Sequence, residues 1–221
     1  MLPARKVPAH MEHTAMLTLF SYPDLFGVAD KNPYGLKIFA FLKLCRLPFQ
    51  HEHVFDAQNA PRAQLPYIVD EGEPIGDSDT IISHLIRRHG LAIDDGLTTR
   101  QHDTNLLVRR ALDDLYWVMS YSRWKDPRFW PLFRDAFLRT HPRVTENSLE
   151  AAREYNFERY YCQGIGRYEP EEAYARGVAD LDRTSFFGET QTVDFARVSR
   201  RSGGRYWVRS GLIPSRAKAL A

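Results

Sequence analysis

Apolar and polar positions follow two periods along this chain, and the switches between them mark the elements. Leu17-Thr18-Leu19-Phe20 and the stretch Phe49 to Phe55 alternate with period two and read as strands. Between them, Leu36, Phe39, Ala40 and Leu44 recur at helical spacing. Asn32-Pro33 starts this helix: Asn is a leading N-cap residue and Pro is tolerated at the first helical position. Pro48 ends it. Ser21 to Lys31, with Pro23, Gly27 and Asp30, reads as a loop. Leu65-Pro66 opens a third strand, since a proline cannot donate to a ladder and belongs at a strand start. Tyr67, Ile68 and Val69 suit a pleated, half-buried surface. Asp70 to Glu73 supplies a turn, and Pro74-Ile75-Gly76 a short return strand. Asp77 and Ser78 are both good N-cap residues, and Ile81, Ile82, Leu85 and Ile86 follow at helical spacing. Residues 16–90 therefore read β-α-β-loop-β-β-α.

Gly90 to Gly96 reads as a linker, after which the pattern is helical only. Thr99 to Trp124 carries Leu106, Arg109, Leu112, Asp113, Tyr116 and Trp117. Pro127 to Phe137 and Leu149 to Ile165 are two aromatic-rich helices, and Glu169-Pro170-Glu171-Glu172 opens a fourth, with acids at its positive end. Between Asp180 and Phe186 the sequence leaves room for little more than a turn. The expected organisation is a disordered extension at 1–15, an α/β domain at 16–90, an all-helical domain at 97–195 and a basic, degenerate tail at 196–221.

Composition changes little in this picture. Of 221 residues, 43% are hydrophobic and 26% charged, which is ordinary for a soluble globular chain. No apolar run approaches a membrane span, and residues 1–15 lack the apolar core of a secretory signal. Two cysteines, Cys45 and Cys162, are too few for a disulfide framework or a zinc site, so a reducing cytoplasm is expected. His51-Glu52-His53 is the tightest histidine cluster. On an alternating strand both rings are expected to face solvent, and no metal site is expected. The net charge of +2 is uneven: after Asp194 come seven basic residues and no acids, which leaves the rest of the chain about five charges negative. Such a tail can bind nucleic acid or an anionic membrane, but neither is expected as a partner here. After Asp194 the run Arg200-Arg201-Ser202-Gly203-Gly204 cannot continue a core helix.

The exposed N–H groups at the start of the Ser78 helix form an anion site beside the strand edge at Pro66. Gln64-Leu65-Pro66-Tyr67-Ile68-Val69 with Pro74-Ile75-Gly76-Asp77-Ser78 resembles the glutathione-binding half of the glutathione transferase superfamily. The resemblance implies a thioredoxin-like N-terminal α/β domain followed by an all-α domain. It implies that Pro66 is cis, that the backbone of Leu65 pairs with the cysteinyl part of glutathione, and that Asp77 and Ser78 hold the γ-glutamyl group. Without a ligand, Asp77-Ser78 would simply cap a helix. Asn32-Pro33-Tyr34-Gly35-Leu36-Lys37 and Gly164-Ile165-Gly166-Arg167 with Glu171-Glu172 narrow the resemblance to the metaxin and failed-axon-connections branch.

One departure bears on chemistry. Many relatives carry Ser or Cys before the helix-start proline, where a hydroxyl or thiol faces the glutathione sulfur; this chain has Asn32. Asparagine can donate an N–H to a thiolate but cannot act as a nucleophile, and it can equally serve only as a cap. Tyr22, Ser21 and Tyr34 are further hydroxyl candidates. The resemblance thus implies a cytoplasmic, homodimeric glutathione S-transferase that takes glutathione as co-substrate. It would activate the thiolate for attack on a small apolar electrophile lying between the domains, against Tyr116 and Trp117. The alternative is a non-catalytic binding or scaffold module of the same fold, as in metaxin-like proteins.

Overall fold

The computed structural model describes residues 16–190, with backbone alone for 185–190. The 1–15 extension and the 196–221 tail lie outside the described residues. The chain divides into two compact units, with the boundary after Leu91.

The first unit is a four-stranded sheet with two helices. The strands are β1 (Thr18–Ser21), β2 (Gln50–His53), β3 (Tyr67–Asp70) and β4 (Glu73–Gly76), in the order β2-β1-β3-β4. β1 runs parallel to β2, as its helical crossover requires, and antiparallel to β3, which pairs antiparallel with β4. Helix α1 (Pro33–Leu44) makes the crossover, and α2 (Ser78–His89) follows β4. This is the thioredoxin-like arrangement. Its core is Leu17, Leu19, Ile38, Leu42, Ile68, Ile81 and Leu85, which come from both helices and the central strands. Each such side chain contributes about 1.5–3 kcal/mol when fully buried. α2 stops at Gly90, whose φ of 57° is the left-handed cap for which glycine carries no Cβ penalty.

The second unit is helical: α3 (Thr99–Trp124), α4 (Trp130–Thr140), α5 (Glu146–Gln163) and α6 (Pro170–Thr190). Thr98 and Gln101 form a reciprocal capping box at the head of α3. Tyr121, Tyr160, Ile165 and Ala173 form a core, with the Ser120 and Tyr160 hydroxyls 2.6 Å apart inside it. Gly166 fits because any Cβ there would lie 2.8 Å from the Tyr160 backbone. Asp126, with no exposed side-chain surface, ties the unit together. Its carboxylate accepts from Arg128 Nη2 at 2.6 Å and from the Tyr174 hydroxyl at 2.6 Å, and Arg128 reaches Glu171 at 2.8 Å. The Arg128 and Tyr174 bonds hold the Asp126 carboxyl down at about 2 against the cost of burial.

Some expectations change. α4 starts at Trp130, not Pro127, because the preceding residues fold around Asp126. α5 starts three residues before Leu149, capped by Thr145. α6 runs unbroken from Pro170 to Thr190 where only a turn was expected after Asp180. That stretch has no proline to stop it, and Thr184 satisfies the Asp180 carbonyl from within the helix.

Candidate functional site

Strand register brings the sequence-predicted residues to one end of the first sheet. Tyr67 pairs with Gly76 at the last rung of β3–β4, so Pro66 and Asp77 leave the sheet side by side. Phe20 pairs with Tyr67, so β1 also ends here, leading through Ser21 and Tyr22 towards the start of α1. Leu65 and Pro66 are buried, and the bond between them is cis, as the resemblance implies.

Asp77 takes a φ of 74°, and its Oδ1 accepts from the Thr80 amide and the Thr80 hydroxyl, each at 2.9 Å. It is the N-cap. Ser78 is the first helical residue and is 7% exposed. Its hydroxyl accepts a hydrogen bond from Lys37 Nζ at 3.2 Å, and the same ammonium lies 2.7 Å from Asp79 Oδ1. A cation from α1 therefore adds to the positive end of α2.

The start of α1 is built in relay. The Asn32 amide donates to Asp30 Oδ1 at 2.6 Å, and Asn32 Oδ1 accepts from the Tyr34 amide at 2.9 Å. Asn32 is thus an N-cap whose acceptor is engaged, leaving its carboxamide N–H groups as donors. Tyr22 stacks against the Lys31 ammonium, 4.5 Å from the ring centroid, and its carbonyl accepts from His53 Nδ1 at 3.0 Å. Tyr34 is half-buried in the first turn of α1.

Asp30 is 1% exposed. It lies so close under Gly35 that a Cβ there would sit 1.6 Å from Asp30 Oδ2, an oxygen with no hydrogen-bond partner. Burial pushes the Asp30 carboxyl up to about 6, opposed by the Asn32 amide, the nearby Ser21 hydroxyl and Lys31. The Ser21 hydroxyl itself is committed elsewhere, 2.7 Å from His51 Nε2. His51 does not face solvent as expected: it packs against Phe39 and Phe49. Burial, then the charges of His53 and Lys43, push it down to about 4. Among the described residues, no group of three or more His, Cys, Asp and Glu could hold a metal ion. No helix among them is long and apolar enough to cross a membrane.

Sequence reasoning assigned no site role to Lys37, Asp30 or His51. Lys37 entered only as part of the Asn32–Lys37 motif, and Asp30 only as a residue of the Ser21–Lys31 loop. In the second unit, the Tyr116 hydroxyl oxygen accepts from Arg159 Nη1 at 3.5 Å and Nη2 at 3.4 Å, and Trp117 packs edge-on against Tyr160. Both belong to an aromatic cluster around the Arg159 guanidinium.

Residues 33–129 match the model of the glutathione S-transferase N-terminal domain family. The chain is 31% identical over 181 residues to isoprene-epoxide–glutathione S-transferase of Rhodococcus sp. (strain AD45), covering 78% of this chain and 76% of that protein. It is 28% identical over 128 residues to Failed axon connections of Drosophila melanogaster, covering 57% of this chain and 31% of that protein. Among solved structures it is similar to Ure2p5 of Phanerochaete chrysosporium, cocrystallized with 1-(S-glutathionyl)-2,4-dinitrobenzene. That match has 17% identity and a TM-score of 0.37, over 57% of this chain and 61% of that one. A diazinon-metabolizing glutathione S-transferase of the silkworm, Bombyx mori, matches with 15% identity and a TM-score of 0.35, over 76% and 98%. These two likenesses carry no part of the assignment. With the thioredoxin-like sheet in place, the match to the Rhodococcus enzyme decides it: the chain belongs to the glutathione S-transferase family.

Proposed function

We propose that this protein binds glutathione at the sheet end formed by β1, β3 and the starts of α1 and α2, and activates its thiol for attack on a small apolar electrophile. The observation that carries the reading is the convergence of two helix N-termini there, with Lys37 hydrogen-bonded to Ser78. The γ-glutamyl carboxylate fits the α2 start, with Ser78 and the Lys37 ammonium, and the γ-glutamyl ammonium fits Asp77. The Leu65 backbone takes the cysteinyl part. The sulfur lies at the α1 start, where the helix end favours the thiolate and the Asn32 carboxamide donates to it. Tyr22 and Tyr34 are the neighbouring hydroxyl candidates. The name of the Rhodococcus relative suggests an epoxide as the electrophile class. Sulfur–carbon bond formation would open a ring carbon–oxygen bond, and the alkoxide would take a proton from solvent. Asn32 excludes a covalent enzyme–glutathione intermediate at that position, so catalysis would be thiolate activation and proximity.

Residues 16–90 would form the glutathione domain, and residues 97–195 a helical domain. We place the protein in the cytoplasm as a homodimer. A second reading, a non-catalytic binding module, is favoured by the missing hydroxyl or thiol at position 32. Calorimetric titration with glutathione, followed by turnover with a small epoxide, separates the two. Binding with turnover supports the transferase, and binding without turnover supports the module. No binding at millimolar glutathione sinks the site itself.

A further inference from the structure

Asp30 is a buried acid that the proposed chemistry does not use. Among the described residues of the first unit, its Oδ2 is the carboxylate oxygen that is both sealed from water and without a hydrogen-bond partner. Its neighbours come from each surrounding element. β1 supplies Ser21, the following loop Tyr22 and Lys31, and α1 the Asn32 amide and the close-packed Gly35. Beyond Ser21 stands His51 of β2, itself influenced by His53, Lys43 and Asp24. Lys31 contributes a stabilising charge to the carboxyl.

The location matters because a helix N-terminus carries about half a positive charge, effective over its first turn. Asp30 Oδ1 is 2.6 Å from the amide of the α1 cap residue. An anion there draws on the same field that a thiolate at the helix start would use, and two anions sharing a site disfavour each other's charged form. We propose that Asp30 is a positioning residue for the thiol at the α1 start: its carboxyl fixes the Asn32 amide, and its ionisation opposes the thiolate there. Asp30 touches no substrate and acts through Asn32. That the thiol is glutathione's rests on the function proposed above.

The test uses a thiol that needs no ligand. Asn32→Cys places one at the cap, and its ultraviolet thiolate absorbance against pH is read as the difference from the parent, whose Cys45 and Cys162 give the baseline. The same titration is run on Asn32→Cys/Asp30→Asn. The expected result is that the introduced thiol titrates about one unit lower with Asn at position 30. Equal titration in two folded proteins overturns the role of Asp30. Should the double variant not fold, Asn32→Cys/Asp30→Ser is titrated in its place, and an unmoved thiol midpoint in that folded protein overturns the proposal. In parallel, bound glutathione is titrated in the parent and in Asp30→Asn. A parent that does not bind glutathione sinks the proposed function, while the introduced thiol still decides the role of Asp30.

Discussion

The Lys37 ammonium lies 3.2 Å from the Ser78 hydroxyl, so α1 delivers a cation to the first residue of α2. Its other partner, Asp79, is on the next residue, and both side chains are about a quarter exposed (28% and 25%). An ion pair that wet is worth at most about 1 kcal/mol to the fold. A charge-assisted bond to a ligand carboxylate is worth about 1.5–3 kcal/mol. Lys37→Met is therefore expected to cost glutathione affinity roughly tenfold or more while barely moving the urea midpoint. Calorimetry and denaturation on the same preparation check this, and unchanged affinity would remove Lys37 from the site.

Asp77 has two separable roles. As N-cap it holds the Thr80 amide, and loss of a cap costs about 1 kcal/mol. As an anion it would pair with the γ-glutamyl ammonium. Asp77→Asn keeps an oxygen for the cap, and Asn tolerates the positive φ. Its stability is expected to match the parent while glutathione binding falls roughly tenfold or more, the worth of a charge-assisted bond. Asp77→Ala is expected to lose both. Equal glutathione affinity in the parent and the Asn variant would leave Asp77 as a cap alone.

The contrast between Asp77 and Asp30 shows what the sequence could reveal. Asp77-Ser78 was legible because its role is local: a cap is written in the residues around it. So was the succession of elements in the first unit, since Asn32-Pro33, Pro66 and the Asp70–Glu73 turn each mark a boundary locally. Asp30 is governed instead by how closely α1 packs on β1 at Gly35, a tertiary distance that no period encodes. His51 misled for a similar reason. Its strand alternates as if half-solvated, but Phe39 from α1 covers that face. The unbroken α6 was missed because the stretch after Asp180 was read as too short for a helix of its own, and continuation of the Pro170 helix through it was not considered. Asn32 was legible as a cap, and the structure shows the cap in use.

Asp126 is the polar keystone of the helical unit. Asp126→Ala leaves the Arg128 guanidinium and the Tyr174 hydroxyl without their acceptor. Removing one partner of a buried pair costs about 3–5 kcal/mol; because Arg128 is 51% exposed, the lower end is expected, about 3 kcal/mol. Tyr174→Phe removes only one bond to a charged group, for about 1.5 kcal/mol. The Asp126 carboxyl is held down at about 2, so its contribution is present above the ordinary carboxylate range and is lost as pH falls towards 2. Urea denaturation followed by tryptophan fluorescence at pH 7 and pH 3 checks both statements. A mild Asp126→Ala at pH 7 would mean that the helices hold without it.

Asp30 and His51 oppose each other in stability against pH. Asp30 is raised to about 6, so below its unfolded value of 3.8 both states hold the proton, and between the two values only the folded state does. Its contribution is thus fully present at low pH and is lost as pH rises through 6, by about 3 kcal/mol for a shift of this size. His51 is lowered to about 4 from 6.5, so the unfolded state binds the extra proton in that window. Its contribution is present above 6.5 and is lost as pH falls through 4. Between pH 4 and 6 the two slopes have opposite sign, and the parent is expected to show a shallow profile. Asp30→Asn leaves the His51 slope, so that variant's stability should climb with pH across the window. It should also exceed the parent at pH 8, where the parent buries a charge. His51→Gln leaves the Asp30 slope, so its stability should fall over the same range. Denaturant midpoints taken every half unit from pH 4 to 8 for the three proteins measure this directly. Parallel profiles would show that neither group titrates away from its ordinary range.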